Sequence, residues 1–196
     1  ATAKLLAQHG HAVCVNYANN AAAADAVVAG IKGQGGRAIA VQADMANEAE
    51  IVAMFERVDK ELGTLTGLVN NAGINGHRAR VDELTTDDIR RLLDVNVLGC
   101  FICAREAVKR MSTKHGGKGG AIVNVSSGSA NLGNPGIGVL YAASKGAVNS
   151  FGIGLSQEVA AEGVRVNTVA PGMTRTDMPG ADRIAAQAAK IPMGRV

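Results

Sequence analysis

Three residues in the second half of the chain have the types and spacing needed for proton transfer. Tyr141 precedes Lys145 by four residues, which places both side chains on one face of a helix. A phenol normally ionises at a pH of ~10, and a neighbouring ammonium favours the phenolate and lowers that pKa. Ser127 follows the apolar run 121–125, so its hydroxyl is expected at a strand end. Tyr141 and Lys145 are therefore a candidate general acid/base for a substrate oxygen that Ser127 could hold.

Four motifs in a fixed order resemble the short-chain dehydrogenase/reductase family. They are Asn70-Asn71-Ala72-Gly73 after a predicted strand, Asn96 in a predicted helix, the set Ser127, Tyr141 and Lys145, and Pro171-Gly172 after a later strand. One Tyr-x-x-x-Lys is a weak signal because it arises often by chance, whereas four motifs in order are a strong one. The resemblance implies that Asn96, Ser127, Tyr141 and Lys145 form a catalytic tetrad.

Asn96 is open to two interpretations. It lies four residues after Leu92 and seven after Ile89, on the apolar face of its helix. An amide without a partner there costs roughly 1–3 kcal/mol. Asn96 is a structural residue if backbone groups satisfy it, whereas the resemblance implies that it holds a water linking Lys145 to bulk solvent.

The other members of the tetrad have alternatives of the same kind. Tyr141 could be an ordinary half-buried tyrosine at a helix start, and Lys145 could be a solvated surface charge. Ser126 and Ser129 compete with Ser127 for the serine role. The resemblance favours Ser127, because the family aligns the second serine of such a pair.

Short apolar segments alternate with helical patterns, which predicts βαβ units and a parallel sheet. Strands are predicted at 12–17, 38–43, 65–70, 123–126 and 164–170. Helices are predicted at 1–10, 21–30, from 47 with a capping box formed with Glu50, at 85–110 with Thr85 and Asp88 at its start, and at 141–162. The helix from 47 has five apolar residues at helical spacing, which are Ile51, Met54, Phe55, Val58 and Leu62. The expected fold class is α/β, a doubly wound parallel Rossmann sheet in three αβα layers, with a single domain over residues 1–196.

The chain opens on a helical pattern, and the resemblance implies a first strand and a glycine-rich turn before it. It also implies a last helix and strand after Val196. We therefore expect this sequence to be part of a longer chain. The missing first strand would be central in the sheet, so its two parallel neighbours would lose a shared hydrogen-bond partner.

Cofactor contacts are expected at the carboxyl ends of the strands, where open α/β sheets bind their ligands. The resemblance implies a nicotinamide dinucleotide there, with Lys145 on the nicotinamide ribose, Thr174 and Thr176 on the carboxamide, and Asp44 on the adenine. Asp44 could equally be a turn residue before a helix cap. The further contacts implied are Asn70, Ala72, Gly73, Tyr141, Pro171 and Gly172.

The residue at the end of the second family strand indicates which dinucleotide is used. Relatives that prefer NAD usually carry an aspartate there, which binds the ribose hydroxyls. The matching residue here is Tyr17, so no acid repels a 2′-phosphate. NADP is therefore favoured, and NAD remains possible.

Composition argues against several other classes of function. The net charge is +3 with no basic stripe, and aromatic residues make up 3% of the chain, which disfavours nucleic-acid binding. The three cysteines lie in apolar segments and indicate reduced core thiols of a cytoplasmic protein. Cys100 and Cys103 have CxxC spacing, but a helix interior predicts packing and no metal site. We see no apolar run long enough to span a membrane and no signal peptide.

The resemblance implies an oxidoreductase that moves a hydride between NADP(H) and a small carbonyl or alcohol. A non-catalytic dinucleotide sensor on the same fold is the alternative, and a sugar epimerase or dehydratase is a third. The intact tetrad argues against the sensor, and the Asn-Asn-Ala-Gly motif and short length argue against the epimerase.

The segment 128–140 and the loop after Thr176 are expected to line the substrate pocket. The candidate lining residues include no charged side chain, which predicts a neutral substrate; they are Asn131, Leu132, Ile137 and Val139. The family commonly forms homotetramers or homodimers through the helices that hold Asn96 and Tyr141. The small residues Ala143, Gly146 and Ala147 fit such a close helix approach.

Overall fold

The computed structural model describes residues 1–174 and 191–193. In this part of the chain the strands are β1 (Val13–Tyr17), β2 (Ala38–Gln42), β3 (Gly67–Asn70), β4 (Gly120–Val125) and β5 (Val164–Val169). The α-helices are α1 (Thr2–Gln8), α2 (Ala21–Lys32), α3 (Glu48–Leu62), α4 (Thr86–Leu93), α5 (Gly99–Met111), α6 (Ser129–Leu132) and α7 (Val139–Glu158). Strands and helices alternate along the chain, as the sequence predicted.

All strand pairs in the described residues are parallel. β1 pairs with β2, and β3, β4 and β5 form a second sheet in that order. Residues of β1 and β3 line a cleft of about 1320 Å³ between the two sheets. Parallel strands flanked by helices confirm the predicted α/β class.

Helix α3 shows how local sequence sets an element. Asn47 accepts hydrogen bonds from the N–H groups of Ala49 and Glu50, so it is the predicted N-cap. The predicted capping box is wrong in one detail. The Glu50 carboxylate accepts from the backbone N–H of Asp44 and the side chain of Asn47, not from the Asn47 backbone. Glu50 therefore holds the preceding turn as well as the cap.

The long predicted helix from Thr85 is interrupted. Thr85 and Asp88 form a reciprocal capping box that starts α4. Between α4 and α5 the chain makes a π-helical segment at Asp94–Leu98, which contains Asn96. Such segments are frequent at functional sites.

Two close approaches fix the helices that carry the site. A Cβ at Gly99, the first residue of α5, would lie 2.3 Å from the Met45 backbone oxygen. A Cβ at Gly152 in α7 would lie 2.1 Å from Thr168 Oγ1 on β5. Only glycine lets each helix sit this close to its neighbour.

The main core lies between α3, α5 and the second sheet. Ile51, Met54, Phe55 and Val58, four of the five residues of the predicted apolar face of α3, are buried there. Met111 and Ile122 are fully enclosed in the same cluster. No helix in the described part of the chain is both long and apolar enough to cross a membrane.

Candidate active site

Asn96 clamps the loop that follows β3. Its side chain is 2% exposed, and its Oδ1 accepts the Ile74 N–H at 2.8 Å. Its Nδ2 donates to the Ile74 carbonyl at 2.9 Å and to Ser144 Oγ at 3.1 Å. The Ile74 backbone and the Ser144 hydroxyl therefore satisfy this amide, which agrees with the structural interpretation except that one partner is a side chain. One lone pair of Oδ1 remains for a further donor.

Lys145 is a buried cation. The residue is 5% exposed, so the alternative that Lys145 is a solvated surface charge is wrong. Its Nζ donates to the Val125 carbonyl at 2.8 Å and lies 5.9 Å from the centre of the Tyr141 ring. Burial lowers the pKa of Lys145. Two of its three N–H donors remain for other partners.

The structure separates the competing serines. Ser126 is 4% exposed, and its hydroxyl donates to the Lys145 carbonyl at 2.9 Å. Ser127 is half-buried, and its oxygen accepts the Ser129 N–H at 3.1 Å. The Ser126 proton is therefore used within the fold, whereas the Ser127 proton is bonded to nothing in the described residues.

A small pocket lies beside Tyr141. It has a volume of about 40 Å³, and its lining residues are Asn75, Arg78, Ser129, Asn134, Ile137, Gly138 and Tyr141. The loop after β3 contributes the charged residue Arg78, which lies outside the segments expected to line the substrate pocket. The loop after Thr176, the other segment expected there, lies outside the described residues. Of the residues named from segment 128–140, Ile137 lines this pocket, whereas Leu132 is 75% exposed.

Ser144 is a site residue that the sequence analysis missed. It is fully buried, and its hydroxyl donates to the Tyr141 carbonyl at 2.7 Å while accepting from Asn96. It thus joins α7 to the π-helical segment. The signal that could have found it is a small polar residue three positions after Tyr141, on the buried face of the helix.

Gly73 leaves a notch between two members of the predicted tetrad, Asn96 and Lys145. A Cβ there would lie 3.2 Å from Asn96 Oδ1 and 3.4 Å from Lys145 Nζ. A side chain at this position would fill the space next to both polar groups. The open notch and the spare donors of Lys145 fit the approach of a ribose and nicotinamide.

The other predicted cofactor contacts at strand ends have different surroundings. Tyr17, at the end of β1, is half-buried, and Ala72 is exposed. The Asn70 side chain turns inward and donates to Asn124 Oδ1 at 2.9 Å and to the Cys100 carbonyl at 3.3 Å. The Asn70 amide therefore ties β3 to β4 and α5, and the contact of Asn70 with a cofactor stays a prediction.

The segment after β5 lies beside the serine loop. The Pro171 carbonyl accepts the Gly128 N–H at 2.9 Å, so Ser127 and Pro171-Gly172 lie at one edge. Thr174 is exposed and its hydroxyl donates to the Gly172 carbonyl at 3.2 Å. Thr176 lies outside the described residues.

Asp44 is held by groups of its own chain. Its carboxylate accepts the Ala46 N–H at 2.9 Å and pairs with the Arg91 guanidinium at 2.9 Å. The Ala46 bond, together with Arg91, lowers the pKa of Asp44. These contacts favour its interpretation as a turn residue, and they leave its adenine contact a prediction.

The cysteines are packing residues in the described structure. Burial raises the pKa of Cys100 to about 11 and that of Cys103 to about 12, so neither thiol is activated. In residues 1–174 and 191–193 we find no cluster of three or more histidine, cysteine or acidic side chains that could hold a metal ion.

We expect Ser144→Ala to lower the free energy of unfolding by about 1–3 kcal/mol, because it leaves a buried N–H of Asn96 without an acceptor. Ser150→Ala, at an exposed position of the same helix, is the matched control and should change stability by less than about 0.5 kcal/mol. Urea unfolding measures both. Equal effects of the two substitutions would contradict the bridging role of Ser144.

Comparison with known proteins agrees with the geometry. The family model of the short chain dehydrogenases matches residues 1–186. The chain is 51% identical to the uncharacterized oxidoreductase YgfF of Escherichia coli, over 100% of this chain and 81% of that protein. It is 41% identical to a 3-oxoacyl-[acyl-carrier-protein] reductase of Synechocystis, over 91% of this chain and 70% of that protein.

A solved structure shows the same fold with a bound dinucleotide. A short chain dehydrogenase from Burkholderia cenocepacia in complex with NADP superimposes with a TM-score of 0.89 at 39% identity, covering 97% of this chain and 76% of that one. The chain belongs to the short-chain dehydrogenase/reductase family and is an NAD(P)-dependent oxidoreductase.

Proposed function

We propose that this protein interconverts a small carbonyl compound and its alcohol with NADP(H), and that Tyr141 is the general acid/base. The observation that carries the proposal is the buried ammonium of Lys145 beside the Tyr141 ring, next to the open notch at Gly73. When bound, the reduced nicotinamide supplies a hydride to the carbonyl carbon. The protein's own residues then have to place the substrate oxygen and move its proton.

Each side chain has one task in this scheme. Tyr141 gives its phenol proton to the substrate oxygen during reduction, and the positive charge of Lys145 stabilises the phenolate that remains. Ser127 donates its unused hydroxyl proton to the same oxygen and polarises the carbonyl. The desolvated setting of Lys145 strengthens its effect on Tyr141, because charges interact more strongly away from water.

Proton replacement passes along the buried side of the site. The second lone pair of Asn96 Oδ1 can hold a water near Lys145, as the short distances of both groups from the Gly73 notch support. Such a water would return a proton to Tyr141 through Lys145. This keeps the catalytic role of Asn96 compatible with its structural bonds to Ile74.

We expect Tyr141→Phe to lower kcat for NADPH-dependent carbonyl reduction by about 100-fold or more, the usual worth of a general acid. The affinity for NADPH should stay within about threefold, because the ring remains. NADPH oxidation with a panel of ketones and aldehydes measures kcat, and the change in NADPH fluorescence on binding measures the affinity. Ser150→Ala serves as the control for both. Unchanged turnover in Tyr141→Phe would favour the sensor alternative.

The preference for NADP has its own support. The strand β1 ends at Tyr17 without an acid, and Asn16 and Ala18 flank it. A carboxylate at this position would bind ribose hydroxyls and repel a 2′-phosphate. The solved relative from Burkholderia cenocepacia, at 39% identity, was found with NADP.

We expect Tyr17→Asp to raise KM for NADPH about tenfold or more, through like-charge repulsion, and to leave or improve KM for NADH. Tyr17→Phe is the matched control and should keep the preference of the original protein. Initial rates with each dinucleotide measure the ratio. A lower KM for NADH than for NADPH in the unsubstituted protein would overturn the assignment to NADP.

We also propose that copies of this chain associate as a homodimer or homotetramer through α5 and α7. Apolar side chains are exposed along this surface, with Leu98 at 48% and Phe101 at 46% exposure. The Phe101 ring lies 3.9 Å from that of Phe151, so both helices contribute to one apolar patch. Exposed apolar patches of this kind mark interfaces between proteins.

We expect Phe101→Asp to reduce the mass measured by light scattering towards that of a single chain, because it buries a charge in the interface. Val81→Asp, at an apolar residue elsewhere that is 67% exposed, should leave the mass unchanged. A single-chain mass for the original protein would show that this surface does not join copies.

A further inference from the structure

We infer that Arg78 recognises an anionic group on the substrate, so that the compounds reduced here carry a carboxylate close to the reacting carbonyl. This inference rests on the proposed function and names its substrate class. Arg78 belongs to the loop after the Asn-Asn-Ala-Gly motif, four residues beyond the Ile74 backbone that Asn96 holds.

Arg78 and Tyr141 line the same small pocket. Its volume of about 40 Å³ exceeds the roughly 10–15 Å³ of cavity space that holds one water, so the pocket is on the scale of a small polar group. A substrate oxygen on the Tyr141 hydroxyl places the neighbouring substituent of the substrate in or beside this pocket. The guanidinium is therefore placed to contact the part of the substrate that adjoins the carbonyl.

The lining of the pocket suits an anion. Beside Arg78 its lining includes the polar residues Asn75, Asn134 and Ser129, and no acidic residue lines it. Asn134 donates to Ser129 Oγ at 2.7 Å, which leaves the serine proton for another acceptor. A guanidinium binds a carboxylate with two parallel hydrogen bonds, which gives direction as well as charge.

The acids near this loop are already engaged elsewhere. Asp82 pairs with Arg80 at 3.1 Å, and the Glu83 carboxylate accepts the Arg80 backbone N–H at 3.0 Å. Asp88 accepts from Thr85 and lies 3.4 Å from His77. Within residues 1–174 and 191–193, none of these carboxylates reaches Arg78.

The test compares substrates that differ only in charge. Acetoacetate and methyl acetoacetate have the same ketone, with a carboxylate or a neutral ester beside it. We expect Arg78→Ala to lower kcat/KM for acetoacetate by about 10- to 100-fold, mostly through KM, which is the usual worth of a hydrogen bond to a charged group. Reduction of methyl acetoacetate should change less than about threefold.

Two further variants distinguish the effect of the Arg78 charge from an effect on the structure of its loop. Arg78→Lys should recover part of the preference for acetoacetate, because it keeps the charge and loses the fork. Arg80→Ala removes the neighbouring arginine, which faces Asp82, and should leave both substrates unaffected. A loss of NADPH affinity in Arg78→Ala that matches the loss for acetoacetate would overturn the inference by assigning the residue to the cofactor.

Binding of unreactive probes distinguishes this inference from the proposed function. Butyrate and butyramide have the same carbon chain and no ketone, and saturation-transfer NMR compares them without turnover. We expect butyrate to bind more tightly than butyramide, and Arg78→Ala to abolish the difference. If butyrate binds more tightly but no carbonyl compound is reduced, the proposed reaction is rejected and the anion site is retained. Equal binding of the two probes, or equal losses for acetoacetate and its ester, would overturn the role of Arg78.

Discussion

The arrangement of the site depends on burying one ammonium group without a carboxylate beside it. Lys145 is 5% exposed and its Nζ has a single hydrogen bond, to a backbone carbonyl at the end of β4, within the described residues. Burying an unpaired charge is unfavourable, and the depressed pKa of Lys145 expresses that cost. A carboxylate partner would reduce that cost, and it would also cancel the positive charge that the proposed role of Tyr141 requires. The buried lysine is instead held by a hydrogen bond from its Nζ to a backbone carbonyl.

Hydrogen bonds between neighbouring elements keep the lysine in this position. Ser126 fixes the Lys145 backbone to the end of β4, and Ser144 fixes α7 to Asn96. Asn96 in turn holds both polar groups of Ile74. The distance between Lys145 and the notch at Gly73 is therefore set by a closed chain of hydrogen bonds. A buried network of this kind is rigid when every member is satisfied, which suits a site that must keep reacting atoms within tenths of an ångström.

The features of the fold that depend on periodicity and local chemistry could be predicted from the sequence. The caps at Asn47 and Thr85, the apolar face of α3 and the order of strands and helices follow from patterns over a few residues. The π-helical segment could not be predicted in this way, since it adds one residue to a turn to bring Asn96 against Ile74. The inward turn of Asn70 likewise depends on Asn124, which is 54 residues away.

The position of Arg78 beside Tyr141 could not be predicted for a different physical reason. Segment 128–140 and the loop after Thr176 were expected to line the substrate pocket, and neither includes the loop after β3. The loop after β3 has no periodic pattern, and its path is fixed only where Asn96 binds Ile74. Loops carry specificity because they can change without disturbing the elements that hold them. Here the loop that supplies Arg78 starts from the same clamp that positions Asn96. The groups proposed to transfer the proton and the group proposed to select the substrate therefore share one anchor, which keeps their spacing fixed while leaving the loop sequence free to vary.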